Sequence, residues 1–350
     1  MRVESFLPLG DWRQIGAVAR ASEAAGFDSL LTAEIAHDPF APLVVAALET
    51  SRITLGTGIA VAFPRSPMIV ANTARDLHAE SGGRFSLGLG SQVKGHNERR
   101  FSVPWSPPVP RLREYVQALR AIWRAWEKQE PLAFEGEHYR FTLMTPEFAP
   151  PPTGLAPIPV SIAAVRPPMI RMAGRVCDGV KLHGFATRKY LEQVAMPALE
   201  EGWAQSGRSR AHFEVSGGGF IVTGATDEDV AKQFEMVRYR IAFYGATRTY
   251  HVVFEPHGWE DLGLKLHQLA KQGKWKEMAA EVPDDVVREF SAVGRYDQLT
   301  SAIERQFGGL TDSLLLGLVP NTSLEEQKEL LQDLHAIPSA FEGFTDQWDA

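Results

Sequence analysis

The chain has 350 residues, 44% of them apolar, and a formal charge of −7. It can bury a sizeable core, and α/β barrels of this length are routinely one domain. The acidic balance without a basic stripe excludes a nucleic-acid footprint, the single Cys177 excludes an intrachain disulfide, and no apolar run reaches the roughly 20 residues of a membrane span.

In chain order, strand-like runs alternate with amphipathic helices. Val3 to Leu7 predicts a first strand. Charge interrupts it too early for a signal peptide, so a soluble, cytoplasmic protein is expected. Trp12, Ile15, Val18, Ala19 and Ala25 form a helical stripe that stops at Gly26. Ser29 to Ala33 is a second strand, and Pro42 to Glu49 a short apolar helix. Residues 53–91 read as strand, helix, strand: Ile53-Thr-Leu-Gly-Thr-Gly-Ile-Ala, a helix from Pro67 to Glu80, then Gly83-Arg-Phe-Ser-Leu-Gly-Leu-Gly-Ser-Gln. Parallel strands need such a crossover. Glycine weakens a strand, so glycines at both exits imply that something approaches the backbone there.

The clearest helical period is Leu112, Tyr115, Val116, Leu119, Ile122, Trp123 and Trp126, an outer packing face. A fifth strand follows over 159–164, a helix over 168–176, a sixth strand over 179–183 and a seventh over 213–223. Val230, Phe234, Val237 and Ile241 share one helical face. Leu299 and Ile303 lead to the stop Gly308-Gly309, and 313–319 is the eighth strand. Eight strands alternating with helices predict an α/β fold of the (β/α)8 TIM-barrel type, a single domain over 1–350. Insertions at about 128–157 and 245–296 break the alternation, as lids at the C-terminal face or as packing or dimer surfaces.

Several chemistries are unsupported. Gly88-Leu-Gly-Ser-Gln-Val-Lys-Gly lacks the spacing of the dinucleotide fingerprint. No P-loop, no His-Glu-x-x-His, no cysteine pair and no Gly-x-Ser-x-Gly occurs, and no metal site is expected.

Gly26-Phe-Asp-Ser-Leu, Ile53-Thr-Leu-Gly-Thr-Gly-Ile, Ser81-Gly-Gly-Arg-Phe-Ser-Leu-Gly-Leu-Gly-Ser and Cys177-Asp-Gly-Val closely resemble the bacterial luciferase-like superfamily. The stretch from Gly90 to Phe101, with Ala62-Phe-Pro-Arg-Ser-Pro and Leu143-Met-Thr-Pro, resembles its branch of coenzyme F420-dependent oxidoreductases. The likeness covers roughly residues 1–340. It implies a TIM barrel that carries F420, or alternatively FMN, usually as a homodimer.

The resemblance also implies site residues. The third strand commonly supplies a wall for the tricyclic ring through a bulge with a non-prolyl cis peptide. The matching bond is Gly58–Ile59, with Ala60 next; the alternative is an ordinary strand end. A phosphate needs donors at a strand exit or helix start. Gly90, Ser91 and Gln92 leave the fourth strand, and Ala163, Ala164, Val165 and Arg166 leave the fifth and open a helix. Arg166 is a charged partner for the anion or a solvated arginine near a cap. Gly217-Gly-Gly219 lines the cofactor tail or marks a bulge.

For the reaction, Glu34 and His37 follow the second strand, where relatives place an acidic residue and a histidine. Two residues separate them here, whereas relatives often have them adjacent. An imidazole there can give or accept a proton as hydride moves. His96 and Glu98 follow the phosphate loop and are a general acid and a substrate ligand, or Glu98 is half of an exposed ion pair. Arg65 binds cofactor or substrate, and His183, ending the sixth strand, faces the mouth as a cofactor ligand. The expected function is hydride transfer between the deazaflavin C5 and a small organic substrate. An FMN-dependent monooxygenase fed by a reductase, or a non-catalytic flavin-binding protein, are the alternatives.

Overall fold

Three aspartates show how the chain closes on itself. Asp28, Asp178 and Asp312 each stand immediately before a strand. Each accepts, through its side chain, the N–H of a residue on the preceding barrel strand: Val3 at 2.7 Å, Val160 at 2.8 Å and Val215 at 2.8 Å. Their carbonyls accept from the strand on the other side, at Thr54, Glu214 and Arg2. One residue type thus stitches three neighbouring strands at their amino ends. Two of the motifs that carried the family resemblance, at Asp28 and Asp178, are these stitches.

The computed structural model describes residues 1–320 and 322–348. Its strands are β1 (Arg2–Phe6), β2 (Ser29–Thr32), β3 (Thr54–Thr57), β4 (Ala60–Val61), β5 (Phe85–Gly90), β6 (Phe134–Glu135), β7 (Arg140–Phe141), β8 (Val160–Ala164), β9 (Gly179–Leu182), β10 (Glu214–Gly217), β11 (Phe220–Val222), β12 (Ser291–Val293) and β13 (Ser313–Leu315). The order β1-β2-β3-β5-β8-β9-β10-β13 returns to β1, every pairing parallel. This is the closed eight-stranded (β/α)8 barrel that the alternation predicts. Among the described residues, no helix is long and apolar enough to cross a membrane.

Local sequence explains the outer ring. The helix Trp12–Ala25 starts at Asp11, whose side chain accepts the Arg13 N–H, and ends at Gly26 with φ 102°. The helix Pro108–Lys128 buries its predicted face, with Tyr115, Leu119, Ile122 and Trp126 all under 3% exposed. Thr226 and Asp229 form a reciprocal capping box that opens the helix Asp227–Gly245.

The barrel interior is polar and small. Lys181 lies 3.2 Å from Glu4, Ser216 donates to Glu4 at 2.7 Å, and Arg2 lies 3.2 Å from Glu214. Glycines leave room for these long side chains. A Cβ on Gly88 would sit 1.9 Å from the Thr57 carbonyl oxygen and 3.2 Å from Lys181 Cε.

The structure departs from the expected elements in four places. The seventh strand is broken: β10 stays in the barrel, while β11 turns away to pair with β12. Gly217 and Gly218 make the break, with φ of 85° and 108°, so the triple glycine marks a kink. The eighth strand ends at Leu315. A helix over Arg188–Ser206, with a π-helical stretch at Leu191–Ala195, was not expected at all. Its Gly202 packs backbone to backbone on the helix Pro167–Val176, a Cβ there falling 2.4 Å from the Arg171 carbonyl oxygen. Lastly, residues 128–157 run down the side of the helix Pro108–Lys128. Glu114 accepts from the Glu137 and His138 N–H groups, and Glu127 from those of Thr153 and Gly154.

Candidate active site

The corner after β3 is held by its neighbour from β2. The Gly58–Ile59 peptide is cis. The Glu34 N–H donates to the Ile59 carbonyl at 3.0 Å. The Glu34 carboxylate accepts the Val61 N–H at 2.7 Å and Arg65 Nη1 at 2.7 Å, while Arg65 Nη2 reaches Asp38 at 3.3 Å. Burial opposes the charge on Arg65, but Glu34 and then Asp38 outweigh it and hold the guanidinium above its ordinary value. Both predicted site residues are thus engaged in fixing the backbone of this corner. Ile59 then lies across β5: a Cβ on Gly90 would fall 2.6 Å from Ile59 Cδ1 and 3.8 Å from the Ala163 Cβ. Ile59, Gly90 and Ala163 make an apolar floor, with Ala60 buried behind it.

Beside that floor the chain exposes backbone donors. Gln92 adopts a left-handed conformation, φ 56°. Among the described residues, no acceptor meets the N–H of Gln92 or Val93. Fully buried Asn97 fixes the turn they sit in: its Nδ2 donates to the Ser91 carbonyl at 2.9 Å and the Val93 carbonyl at 3.2 Å. Those two N–H groups are left without a protein acceptor and could serve an anion. Sequence reasoning assigned Asn97 no role. Its signal in the sequence is its place within the Gly90–Phe101 stretch, seven residues beyond the end of β5. The second predicted donor loop is poorer than expected. Pro167 and Pro168 have no N–H, and those of Met169 and Ile170 turn to the Arg166 carbonyl at 3.0 and 3.1 Å. The exposed Arg166 side chain and the helix dipole remain. The Tyr190 hydroxyl donates to the Val165 carbonyl and anchors that loop.

A barrel with this floor and loop order can be compared with known proteins. Residues 3–312 match the family model described as luciferase-like monooxygenase. The chain belongs to the luciferase-like monooxygenase family. It is therefore an enzyme. An uncharacterized protein of Mycobacterium tuberculosis is 48% identical over 305 residues, 85% of this chain and 89% of that one. An F420-dependent glucose-6-phosphate dehydrogenase of Intrasporangium calvum is 31% identical over 271 residues, 72% and 77% of the two chains. Among solved structures, the coenzyme F420-dependent tetrahydromethanopterin reductase of Methanopyrus kandleri superposes with a TM-score of 0.76 at 22% identity, covering 95% of this chain and 98% of that one.

In this luciferase-like barrel the candidate proton carriers differ in setting. His37 and His96 are exposed, and no protein partner holds either ring among the described residues. Glu98 is exposed and faces Lys94 at 3.8 Å, a surface ion pair of little energetic weight. Arg100 donates to the Ile35 carbonyl and stacks on Phe101, a structural role. His183 is mostly buried against Tyr244, near the end of the helix Asp227–Gly245, and Tyr250, just beyond it.

Burial pushes His183 down to about 4 from 6.5. Between those values the folded protein binds fewer protons than the unfolded chain, so stability falls as pH drops through that window. His183→Asn is expected to remove about 2 kcal/mol of the stability lost between pH 7 and pH 5, read by urea unfolding at each pH. Burial also lowers His78, His251 and His257, which add to the same dependence. An unchanged pH slope in the variant would show that His183 is solvated.

A ring-shaped cofactor with a phosphate would need an apolar seat next to an anion site, and residues of both kinds lie here. Ile59 over Gly90 offers the seat, and the free donors at Gln92 and Val93 offer the anion site. A separate cavity of about 150 Å³ lies at the opposite end, lined by Arg120, Trp123, Asp178, Phe344 and Trp348. That end of a barrel serves stability, and Asp178 there accepts both Arg120 and Arg208.

Proposed function

We propose that the protein is a coenzyme F420-dependent oxidoreductase that passes a hydride between the deazaflavin C5 and a small organic substrate. The observation that supports this most is the apolar floor of Ile59 on Gly90 beside the free N–H groups of Gln92 and Val93. The likeness to an F420-dependent dehydrogenase supports the deazaflavin over FMN in this reading. When bound, that cofactor supplies a carbon centre that carries two electrons and activates oxygen poorly.

In this reading Gly58, Ile59, Ala60, Gly90, Ala163 and Ala164 hold one face of the ring. Ser91, Gln92, Val165 and Arg166 hold the phosphate. Glu34 and Arg65 position the corner rather than react. His37 and His96 have free imidazoles at the mouth, and either can take or return the proton that accompanies hydride transfer. Glu98 is left at the rim.

Fluorescence titration tests the assignment. F420 is expected to bind with micromolar or tighter affinity, and FMN far more weakly. Gly90→Ala forces Ile59 off the floor and should weaken F420 binding about tenfold, or about 1.4 kcal/mol. Tight FMN binding, with reductase-driven oxygen uptake, would instead assign the protein to the flavin monooxygenases of its family.

A further inference from the structure

Three polar rings meet where β9 ends. The His183 ring lies 4.3 Å from Tyr244 and 5.0 Å from Tyr250, and the two tyrosines are 5.7 Å apart. The Phe185 N–H sits 2.9 Å from His183 Nδ1. A backbone N–H can only donate, so Nδ1 accepts and the neutral ring carries its hydrogen on Nε2. Among the described residues, neither Nε2 nor either hydroxyl has a protein partner, and none of the three is sealed from solvent. Phe185, Phe254 and Phe290 pack behind them, at 5.3 Å and 4.6 Å from the Phe185 ring. Among the described residues, no lysine or arginine hydrogen-bonds any of the three rings, and burial lowers His183 from its ordinary value.

We propose that His183, Tyr244 and Tyr250 form the substrate's oxygen pocket, which takes an uncharged carbonyl or hydroxyl on an apolar frame and rejects phosphate esters and carboxylates. The inference rests on the oxidoreductase reading and narrows its substrate class. A tyrosine hydroxyl both donates and accepts, and an imidazole N–H donates, so the trio satisfies either C=O or C–OH. An anion would lose its hydration there and gain no cation in return. The glucose-6-phosphate dehydrogenase to which this chain is similar therefore predicts the cofactor but not the substrate.

The test uses the full chain, with and without F420, and follows cyclohexanone, cyclohexanol, benzoate and glucose 6-phosphate by saturation-transfer NMR. Saturable binding of an uncharged probe is expected, with none for the two anions. Tyr250→Phe and His183→Asn should each weaken that binding at least about tenfold while F420 affinity stays within about twofold. Tyr250→Phe removes one oxygen atom and should melt with the wild type. Anion binding as tight as that of the ketone, undiminished ketone binding in both variants, or no uncharged probe bound would overturn the proposal. So would loss of F420 affinity in the variants, which would place His183 in the cofactor seat. Failure of the wild type to bind F420, with ketone binding intact in its absence, defeats the oxidoreductase reading and leaves the pocket standing.

Discussion

Replacing Lys181 with Met destabilises the protein by about 3–5 kcal/mol in denaturant unfolding. The Lys181 and Glu4 side chains are only 13% and 5% exposed, and 3.2 Å separates their charged atoms. Without the ammonium, Glu4 keeps its hydrogen bond from Ser216 but is a buried charge whose direct counter-ion is gone, leaving Arg2, already engaged by Glu214, as its remaining nearby cation. A second acid makes this worse. Burial pushes the fully buried Glu214 carboxyl up; Arg2 opposes that rise and Glu4 adds to it. Replacing Glu4 with Gln in the same molecule is therefore expected to recover most of the loss, since removing both partners leaves no uncompensated charge. A single-variant cost below about 1 kcal/mol would show that water screens the pair. The Lys181 stem lies against Gly88, two residues before the floor glycine Gly90. F420 affinity should fall in the single variant and recover in the double one.

Glu34→Ala is the second large effect. The carboxylate holds the Val61 N–H and the Arg65 guanidinium with a side chain only 7% exposed. Its removal leaves a buried donor unmet and is expected to cost about 2–3 kcal/mol. F420 binding should weaken at least about tenfold, because the corner that presents Ile59 loses its clamp. Glu34→Gln keeps an acceptor and should lie between. If Glu34→Ala kept full stability and F420 affinity yet abolished turnover, the carboxylate would be a proton carrier and the clamp account would be wrong.

The barrel itself was legible because periodicity and glycine placement are local properties of the chain. The corner at Gly58–Ile59 was also legible, through the family pattern of Ile53-Thr-Leu-Gly-Thr-Gly-Ile. What sequence could not show was occupancy. Glu34 read as a catalytic group and Arg65 as a ligand of cofactor or substrate, and no local pattern revealed their partners across 27 to 31 positions of chain. Pro167-Pro168 was visible, yet its consequence for backbone donors required seeing that Met169 and Ile170 spend theirs on Arg166. The helix over 188–206 was hidden because Pro197 and Gly202 interrupt its apolar spacing, while Gly202 is needed for close helix packing. The ring cluster of His183, Tyr244 and Tyr250 joins residues some sixty positions apart, which no local pattern reveals.

A crystal structure of the F420 complex tests the central claim most directly. The deazaflavin ring should lie on Ile59 and Gly90 at the carboxyl ends of β3 and β5, with its phosphate at the Gln92–Val93 donors and Arg166. A ring bound away from Ile59, or a phosphate held elsewhere with those N–H groups still facing water, would contradict the account.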